Sequence, residues 1–157
     1  MLVQSLIDAP LQGSVCEKYI AIRLQCTNFI CAITPLLGEF GTDAAAEIKQ
    51  FTEFATKGFQ DAKLTLDTSA SCFVSLCGDC AAVLSPFAEQ FVQQILVPDF
   101  IDTWTFQDNY RDIVRGFSFL VDNVSKNDTL RCATLVPLVV RPLLLPLNTA
   151  IMEVKER

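Results

Sequence analysis

Apolar residues recur along most of the chain at intervals of three and four, the spacing of one face of an α-helix. The clearest case lies between residues 106 and 124, where charged side chains occupy the intervening positions. This alternation predicts an amphipathic helix with one buried face. Its inward residues are Phe106, Tyr110, Ile113, Phe117, Leu120 and Val124, and its outward residues are Asp108, Arg111, Asp112, Arg115 and Asp122.

The segment 72–96 predicts two helices joined by a sharp bend. Ser85 is a suitable N-cap for the second helix, and Pro86 suits its first helical position, where a missing N–H costs no hydrogen bond. The first helix carries an apolar stripe made of Phe73, Cys77, Cys80 and Leu84. We therefore expect this stretch to contribute two thiols to the core.

Two helices are predicted before this stretch. Residues 14–33 begin with a capping box, Ser14 and Glu17, and are apolar on two faces, which predicts a central helix. Residues 42–66 form an amphipathic pattern that starts at a turn after Pro35. The two apolar faces of the first helix are Ile20, Leu24 and Cys31 on one side, and Ile22, Cys26, Phe29 and Ile33 on the other.

The last apolar segment, Leu130–Met152, approaches the length of about 20 residues that a membrane span requires. Arg131, Arg141 and three prolines argue against a span, since charges and helix breaks are costly in lipid. We expect a buried pair of proline-kinked helices here, and no transmembrane span.

Three prolines are evenly spaced: Pro35, Pro86 and Pro137 lie 51 residues apart. A fixed period of this length is typical of repeated helical units that bury each other's apolar faces. The proline-bent helix pairs resemble HEAT-type solenoid units in pattern, although not in signature residues. We predict a single all-α domain over residues 1–157, either a multi-helix bundle or a short HEAT-like array with proline-kinked pairs. The alternative to a true repeat is two kinked helical hairpins of similar build.

The composition excludes several classes of function. Apolar residues make up 51% of the chain, twelve of them Phe, and the net charge is −6, which disfavours binding to nucleic acid. The chain has no His, so histidine catalysis and histidine metal sites are excluded. Six scattered glycines form no phosphate-binding loop, and no cofactor is predicted.

The seven cysteines leave two interpretations open. They are either reduced core thiols of an intracellular protein or structural disulfides of a secreted one, and we favour the reduced state and a cytoplasmic location. N-glycosylation sequons at Asn123 and Asn127, in the polar loop 123–129, support the secreted alternative. The candidate disulfide or redox residues are Cys16, Cys26, Cys31, Cys72, Cys77, Cys80 and Cys132.

Part of this cysteine set matches known ligand spacings. Cys72, Cys77 and Cys80 have the spacing of ferredoxin ligands, and Cys77-Gly-Asp-Cys80 has the form of a redox dithiol. Neither lies in a suitable setting, because the surrounding pattern is helical and apolar. No metal site is predicted, and thiol chemistry at Cys77 and Cys80 is the remaining enzymatic hypothesis.

These patterns favour a non-enzymatic helical module that binds another protein or a second copy of itself. The alternative is a carrier of an apolar, lipid-like molecule, secreted and disulfide-bonded. In either case we expect aromatic side chains to line the interface or pocket. The candidates are Phe87, Phe91, Trp104, Phe106, Tyr110 and Phe117.

Overall fold

The computed structural model describes residues 16–59, 66–97 and 108–155, and these are helical with no strand among them. The prediction of an all-α fold is confirmed for these residues. The helices are α1 (Cys16–Phe40), α2 (Ala45–Lys57), α3 (Leu66–Asp79), α4 (Ala81–Leu84), α5 (Ala88–Ile95), α6 (Asp108–Asn127) and α7 (Thr129–Lys155), with 3₁₀ turns at Gly41–Ala44 and Ser85–Phe87.

The helices pack around α3. Helix α3 packs most extensively on α6 and α1, and α2 also packs directly on it. Helix α7 packs on α6 and α5, and α4 packs on α6 and α2. As a result α3 is enclosed by α1, α2 and α6, whereas α1 and α7 lie at the margins.

The centre of the core is Phe73 on α3. Its ring meets Phe59 and Phe91 edge to face, with 6.0 Å between ring centroids in each case, and lies 5.4 Å from the ring of Phe117. Edge-to-face contacts of this kind add to the free energy gained from burial alone. The four rings come from α3, α5, α6 and the residue pair after α2, so one aromatic cluster joins these elements.

Glycines allow the neighbouring helices to approach α3 closely. A Cβ atom at Gly116 on α6 would lie 2.6 Å from the Phe73 ring, and one at Gly38 on α1 would lie 2.5 Å from the carbonyl oxygen of Asp79. Neither distance is compatible with a side chain. The crossings of α1 and α6 on α3 therefore require glycine.

The predicted stripes of α3 and α6 are confirmed. Along α3 and α4 the four expected residues, Phe73, Cys77, Cys80 and Leu84, are all buried, and along α6 so are Ile113, Phe117, Leu120 and Val124. Tyr110 is half-buried, and its hydroxyl donates a hydrogen bond to the carbonyl oxygen of Leu143, 2.5 Å away on α7. Trp104, Phe106 and the capping box at Ser14 lie outside the described residues.

The sharp bend was predicted at the wrong place. It lies at Cys80, where the axes of Asp67–Asp79 and Ala81–Ile95 meet at 97°. Ser85 does not cap a helix, because it begins a 3₁₀ turn and its hydroxyl donates instead to Asn123 Oδ1, 2.8 Å away. Ser85 thus bonds to Asn123 of α6 and does not cap the helix that Ser85-Pro86 predicted.

Three further boundaries differ from the expectation. Helix α2 ends at Lys57 and not near residue 66, and Gly58, which follows it, lies directly against Ser69 of α3. The polar segment 123–129 is not a loop: residues 123–127 are the last turn of α6, and α7 begins at Thr129. The final segment is one helix through all three of its prolines, and most of its described side chains are exposed, so it is not a buried pair.

The 51-residue period stays a prediction. Its three prolines lie in different local structures. Pro35 and Pro137 lie inside α1 and α7, whereas Pro86 lies in the 3₁₀ turn that follows the bend.

Arg131 connects the start of α7 to the 3₁₀ turn and α5. Its Nε donates to Glu89 Oε1 at 2.8 Å, and its Nη2 donates to Glu89 Oε2 and to the carbonyl oxygens of Ser85 and Pro86. The hydrogen bond from Arg131 lowers the pKa of Glu89 below its ordinary value. Lys126 and Asp122 on α6 form a simpler pair that is exposed on both sides.

We predict that Gly116→Ala destabilises the protein by about 1–3 kcal/mol, because the new methyl group collides with Phe73 in the closed core. Gly78→Ala is the matched control on α3, where the nearest atom, on the Phe119 ring, would be 3.4 Å from the new Cβ. That variant should be neutral or more stable by up to about 1 kcal/mol, because alanine favours helix. Urea unfolding followed by circular dichroism measures both, and equal stability of the two variants would contradict the prediction.

We predict that Arg131→Ala lowers the free energy of unfolding by about 1–2 kcal/mol, since it removes a two-pronged ion pair and two carbonyl contacts. The loss of stability should not be larger than this, because Glu89 is partly exposed and solvent weakens the ion pair. Lys126→Ala should cost at most about 0.5 kcal/mol.

The stability that the Arg131–Glu89 pair provides should depend on pH. Because the folded-state pKa of Glu89 is lowered, the stabilisation is complete above the unfolded value of about 4.3 and is lost as the pH falls below it. Urea titrations at neutral pH and near pH 3 test this: the difference in stability between the two variants should be larger at neutral pH than near pH 3, where the carbonyl contacts of Arg131 remain.

Candidate functional site

An apolar stripe on the outer face of α1 is the most unusual surface of the described protein. Ile22, Phe29, Leu36 and Phe40 recur in steps of seven, seven and four, so they lie on one line along the helix. All four are about half exposed or more, with Phe29 at 62%. We refer to these four residues as the α1 stripe.

The inner face of α1 is more polar than this outer face. Arg23, Thr27 and Thr34 are all buried there, together with Ile30 and Leu37. Arg23 donates to the carbonyl oxygen of Phe54, and its guanidinium carbon lies 4.2 Å from the centroid of the Phe54 ring. The helix is therefore turned with part of its polar face inward.

Two threonines satisfy their hydroxyl groups within the same inner face. Thr27 donates to the carbonyl oxygen of Arg23 at 2.8 Å, and Thr34 donates to the Asp79 carboxylate at 2.5 Å. Hydrogen-bonded hydroxyls cost little to bury. The expectation that α1 is buried on both apolar faces is thus wrong for the face of Ile22 and Phe29.

The surface around the α1 stripe carries no charge over most of its length. Between Ile20 and Gly38 the sole charged residue is Arg23, and Arg23 is buried. The polar neighbours of the stripe are the amides Gln25 and Asn28, which are exposed. An uncharged apolar line of this kind is typical of a surface that meets another apolar surface.

Helix α7 has a second apolar surface at the opposite margin of the fold. Only a narrow line of the described side chains, Leu135, Val139 and Leu143, is buried against the body. Arg131 and Arg141 are the charged residues of segment 129–152. The exposed apolar residues of α7 are Leu130, Val136, Leu138, Val140, Leu144, Leu145, Ile151, Met152 and Val154.

One run in the described part of the chain, Ile20–Lys57, is long and apolar enough to cross a membrane, and 28% of its most apolar window is buried in the protein. The bent pair Asp67–Asp79 and Ala81–Ile95 passes the same test when the two parts are joined. Core helices of soluble proteins pass it too. The absence of a transmembrane span therefore stays a prediction.

A shallow groove runs between α3 and α6. Its volume is about 330 Å³, and its lining residues come from α3 and α6. The lining combines the cation Arg115 and the anion Asp79 with apolar side chains, so it does not indicate one class of ligand. Its lining residues are Val74, Ser75, Gly78, Asp79, Arg115 and Phe119.

The six cysteines whose side chains are described are free thiols, and they divide by position. Cys72, Cys77 and Cys80 are buried, whereas Cys26, Cys31 and Cys132 are half-buried. Cys80 lies on the interface of α1 and α3, with its Sγ 3.9 Å from the carbonyl oxygen of Thr34. The side chain of Cys16 lies outside the described residues.

The thiols of Cys31 on α1 and Cys72 on α3 influence each other's pKa. The hydrogen bond from Cys72 is the main cause that lowers the pKa of Cys31 to about 7, against an opposing effect of burial, and the Ser75 hydroxyl lowers it further. The same hydrogen bond, together with burial, raises the pKa of Cys72. Cys31 is therefore the more acidic thiol of the two.

The dithiol expected at Cys77 and Cys80 has a different character. Burial raises the pKa of Cys77 well above its ordinary value and that of Cys80 to about 11. Both thiols are therefore protonated and unreactive near neutral pH. The redox hypothesis at these two residues gains no support from their surroundings.

The other predicted site residues are dispersed over the fold. Phe91 and Phe117 belong to the aromatic core, and Phe87 is half-buried with the Lys49 ammonium 5.4 Å from its ring centroid. Asn123 is half-buried at its bond to Ser85, while Asn127 is exposed on the last turn of α6. Of the two sequons, Asn127 alone has the exposure that a glycan requires.

Among the described residues no group of three or more acidic or cysteine side chains is arranged to hold a metal ion. No family model matches the chain, and neither the curated proteins nor the solved structures gave a match.

Sequence reasoning missed two features here, the α1 stripe and the pairing of Cys31 with Cys72. The seven-residue spacing of Ile22, Phe29 and Leu36 was a visible signal of the first. The second had none, because the two cysteines are far apart in sequence and meet only when α1 packs on α3.

We predict that alkylation of Cys31 by iodoacetamide follows a titration with a midpoint near pH 7, since the thiolate is the reactive form. The thiol is protonated below this pH and reacts slowly there. In Cys72→Ala the midpoint should move up toward the ordinary value of about 8.5, because the donor is gone. Peptide mass spectrometry of pulse-labelled protein gives the rates.

The control for this titration is Cys26→Ala, which removes another half-buried thiol of α1. It should leave the midpoint of Cys31 unchanged. A wild-type midpoint near 8.5, or an equal shift in both variants, would show that the hydrogen bond from Cys72 does not set the reactivity of Cys31.

Proposed function

We propose that this protein is a non-catalytic helical module that binds another protein, or a second copy of itself, through the α1 stripe. The observation that carries the proposal is the exposure of Ile22, Phe29, Leu36 and Phe40 along one uncharged line. Monomeric proteins rarely leave contiguous apolar surface of this kind uncovered.

The spacing of the stripe favours a helix as its partner. Positions seven residues apart return to nearly the same side of an α-helix, and they form the seam along which two helices pack at a shallow angle. The exposed aromatic side chains Phe29 and Phe40 are of a type that is enriched at the cores of protein interfaces. Gln25 and Asn28 would then form the polar rim.

The order of helix contacts supports the finer proposal of a short HEAT-like array. Helices α1 and α2, α3 and α4, and α6 and α7 contact each other as neighbours in sequence, and α3 in turn contacts both α1 and α6. In arrays of this type an end unit needs a polar outer face to remain soluble. Apolar residues on α1 and on α7 are instead consistent with ends that continue into a partner.

The alternative of an apolar-ligand carrier has less support. The described Phe rings of the core pack on one another, and the groove between α3 and α6 is open and lined partly by polar groups.

We predict that Phe29→Glu combined with Leu36→Glu weakens the proposed association at least about tenfold. Burial of each large apolar side chain contributes about 1.5–3 kcal/mol, which the charged replacements remove. Both residues are more than half exposed in the free chain, so the fold should be retained. Light scattering over a range of protein concentrations measures self-association, and affinity purification with the tagged full chain measures association with other proteins.

The matched control is Gln25→Glu combined with Asn28→Glu, which adds the same two charges beside the stripe and removes no apolar surface. Circular dichroism should show the same helix content in both variants. If the stripe variant equals the control in its molar mass and in its co-purifying proteins, the proposal is wrong. If it loses flotation with phospholipid vesicles and nothing else, the α1 stripe is a membrane surface and not a protein interface.

A further inference from the structure

We propose that the α1 stripe of one copy of this chain docks on the outer face of α7 of a second copy, so that copies associate head to tail. This inference rests on the proposed function, because it names the partner of the α1 stripe. Helix α1 packs on α3, whereas α7 packs on α6 and α5, so each copy presents the two faces from different parts of the fold.

The outer face of α7 carries an apolar line with the same period as the α1 stripe. Leu138, Leu145 and Met152 recur in steps of seven, and each is about half exposed. We refer to these three residues as the α7 stripe. Positions seven apart return to nearly the same side of an α-helix, so this line can pack along another helix of the same period. Leu144 and Ile151, also exposed, widen it on one side.

The two stripes match each other in a parallel arrangement of the helices. When Phe29 of one copy is placed opposite Leu145 of the other, each member of the seven-residue line on α1 has an apolar partner. Burial of apolar surface on both helices is the main favourable term in most protein association. The three facing pairs are Ile22 with Leu138, Phe29 with Leu145, and Leu36 with Met152.

The polar residues beside each stripe are complementary in the same register. Three positions after the last facing pair, Glu39 of one copy would lie opposite Lys155 of the other, and both are exposed. Three positions after the first facing pair, the amide of Gln25 would lie opposite Arg141, and its carbonyl oxygen can accept a hydrogen bond from the guanidinium. Complementary charges of this kind fix the register of an interface more than they add to its affinity.

Pairing of two identical helices lacks this complementarity. Two α1 helices packed in parallel place Glu39 opposite Glu39, and two parallel α7 helices place Arg141 opposite Arg141, which is repulsive. An antiparallel pair of α1 helices can bring Lys18 to Glu39. That register sets Phe29 opposite the amide of Asn28, so the largest side chain of the line faces a polar group. The charges and the apolar lines agree when α1 meets α7.

Association through two different faces does not end at two copies. A two-fold dimer uses the same patch on both subunits, whereas a head-to-tail contact leaves one stripe uncovered at each end of the pair. Further copies can add at both ends. The expected assemblies are therefore rings or open chains, and their mean mass increases with protein concentration.

The test mixes two full-length variants, each with one stripe blocked. The α1 variant is Phe29→Glu with Leu36→Glu, and the α7 variant is Leu138→Glu with Leu145→Glu. Each variant alone should associate at least about tenfold more weakly than the wild type, because large apolar side chains are lost from the contact. An equimolar mixture should form heterodimers and nothing larger in light scattering, since each variant keeps the stripe that the other has lost.

The matched control is Val136→Glu with Val154→Glu, which removes two exposed apolar residues from another side of α7. It should associate as the wild type does. Circular dichroism should show equal helix content in all three variants, so that a loss of association is not a loss of folding. A mixture of the α1 and α7 variants that stays monomeric would overturn the head-to-tail contact.

The outcomes separate this inference from the proposed function. If the α7 variant associates like the wild type and the α1 variant does not, the α1 stripe binds itself, and the head-to-tail inference alone is wrong. A wild type that is monomeric at every concentration also overturns this inference alone, since the stripe can still bind another protein. If the α1 variant keeps both its self-association and its co-purifying proteins, both proposals are wrong.

Charge reversal tests the register. Glu39→Lys and Lys155→Glu should each weaken association about two- to fivefold, because each places like charges opposite each other. The double variant should return to within about twofold of the wild type, since the pair forms again with its signs exchanged. Losses that add up in the double variant would contradict the proposed register.

Cross-linking tests the direction of the two helices in the wild-type surroundings. Leu36 is replaced with the photo-reactive residue benzoylphenylalanine, and the cross-linked peptides of the illuminated protein are mapped by mass spectrometry. The proposal expects a link between copies to the peptide that contains Met152. A link to the peptide that contains Leu138 would mean an antiparallel arrangement, and a link to α1 of the second copy would mean self-pairing; either result refutes the proposed contact.

Discussion

The contact between Gly116 and the ring of Phe73 is the constraint on which the rest of the described structure depends. Because α6 has no side chain at this point, it lies directly against α3, and the Phe73 ring can meet Phe59, Phe91 and Phe117 at once. The same device recurs where α1 crosses α3 at Gly38. Helix α3 is therefore surrounded at short distance, and the positions of the outer helices follow from it.

The orientation of α1 is a consequence of this packing. Its inner side must pass close to the end of α3, where Thr34 and Gly38 meet Asp79, and Arg23 must reach the carbonyl oxygen of Phe54. These polar and small contacts require that side of the helix to face inward. The larger apolar residues of the α1 stripe are left outside, where the proposed partner would cover them.

The interface between α1 and α3 also determines the chemistry of the cysteines. Burial alone raises the pKa of a thiol, as it does for Cys77, so a buried cysteine in this core is inert. Cys31 differs because it lies at the edge of the interface and receives hydrogen bonds from Cys72 and Ser75. The reactivity of a cysteine in this protein therefore depends on its position at the edge of a helix–helix interface and not on the number of cysteines in the chain.

The sequence by itself determined the helical class and the buried faces of α3 and α6, since a strong periodic pattern leaves only one face that can be buried. It also determined that histidine chemistry is excluded. The tertiary structure alone decided the bend at Cys80, the bond from Ser85 to Asn123, the outward turn of the α1 stripe and the pairing of Cys31 with Cys72. Each of these depends on which residue of a distant helix lies opposite, and local spacing carries no information about that neighbour. For α1, apolar residues on two sides made both orientations compatible with the pattern, and the hydrogen bonds of Arg23 and Thr34 to other helices selected one of them.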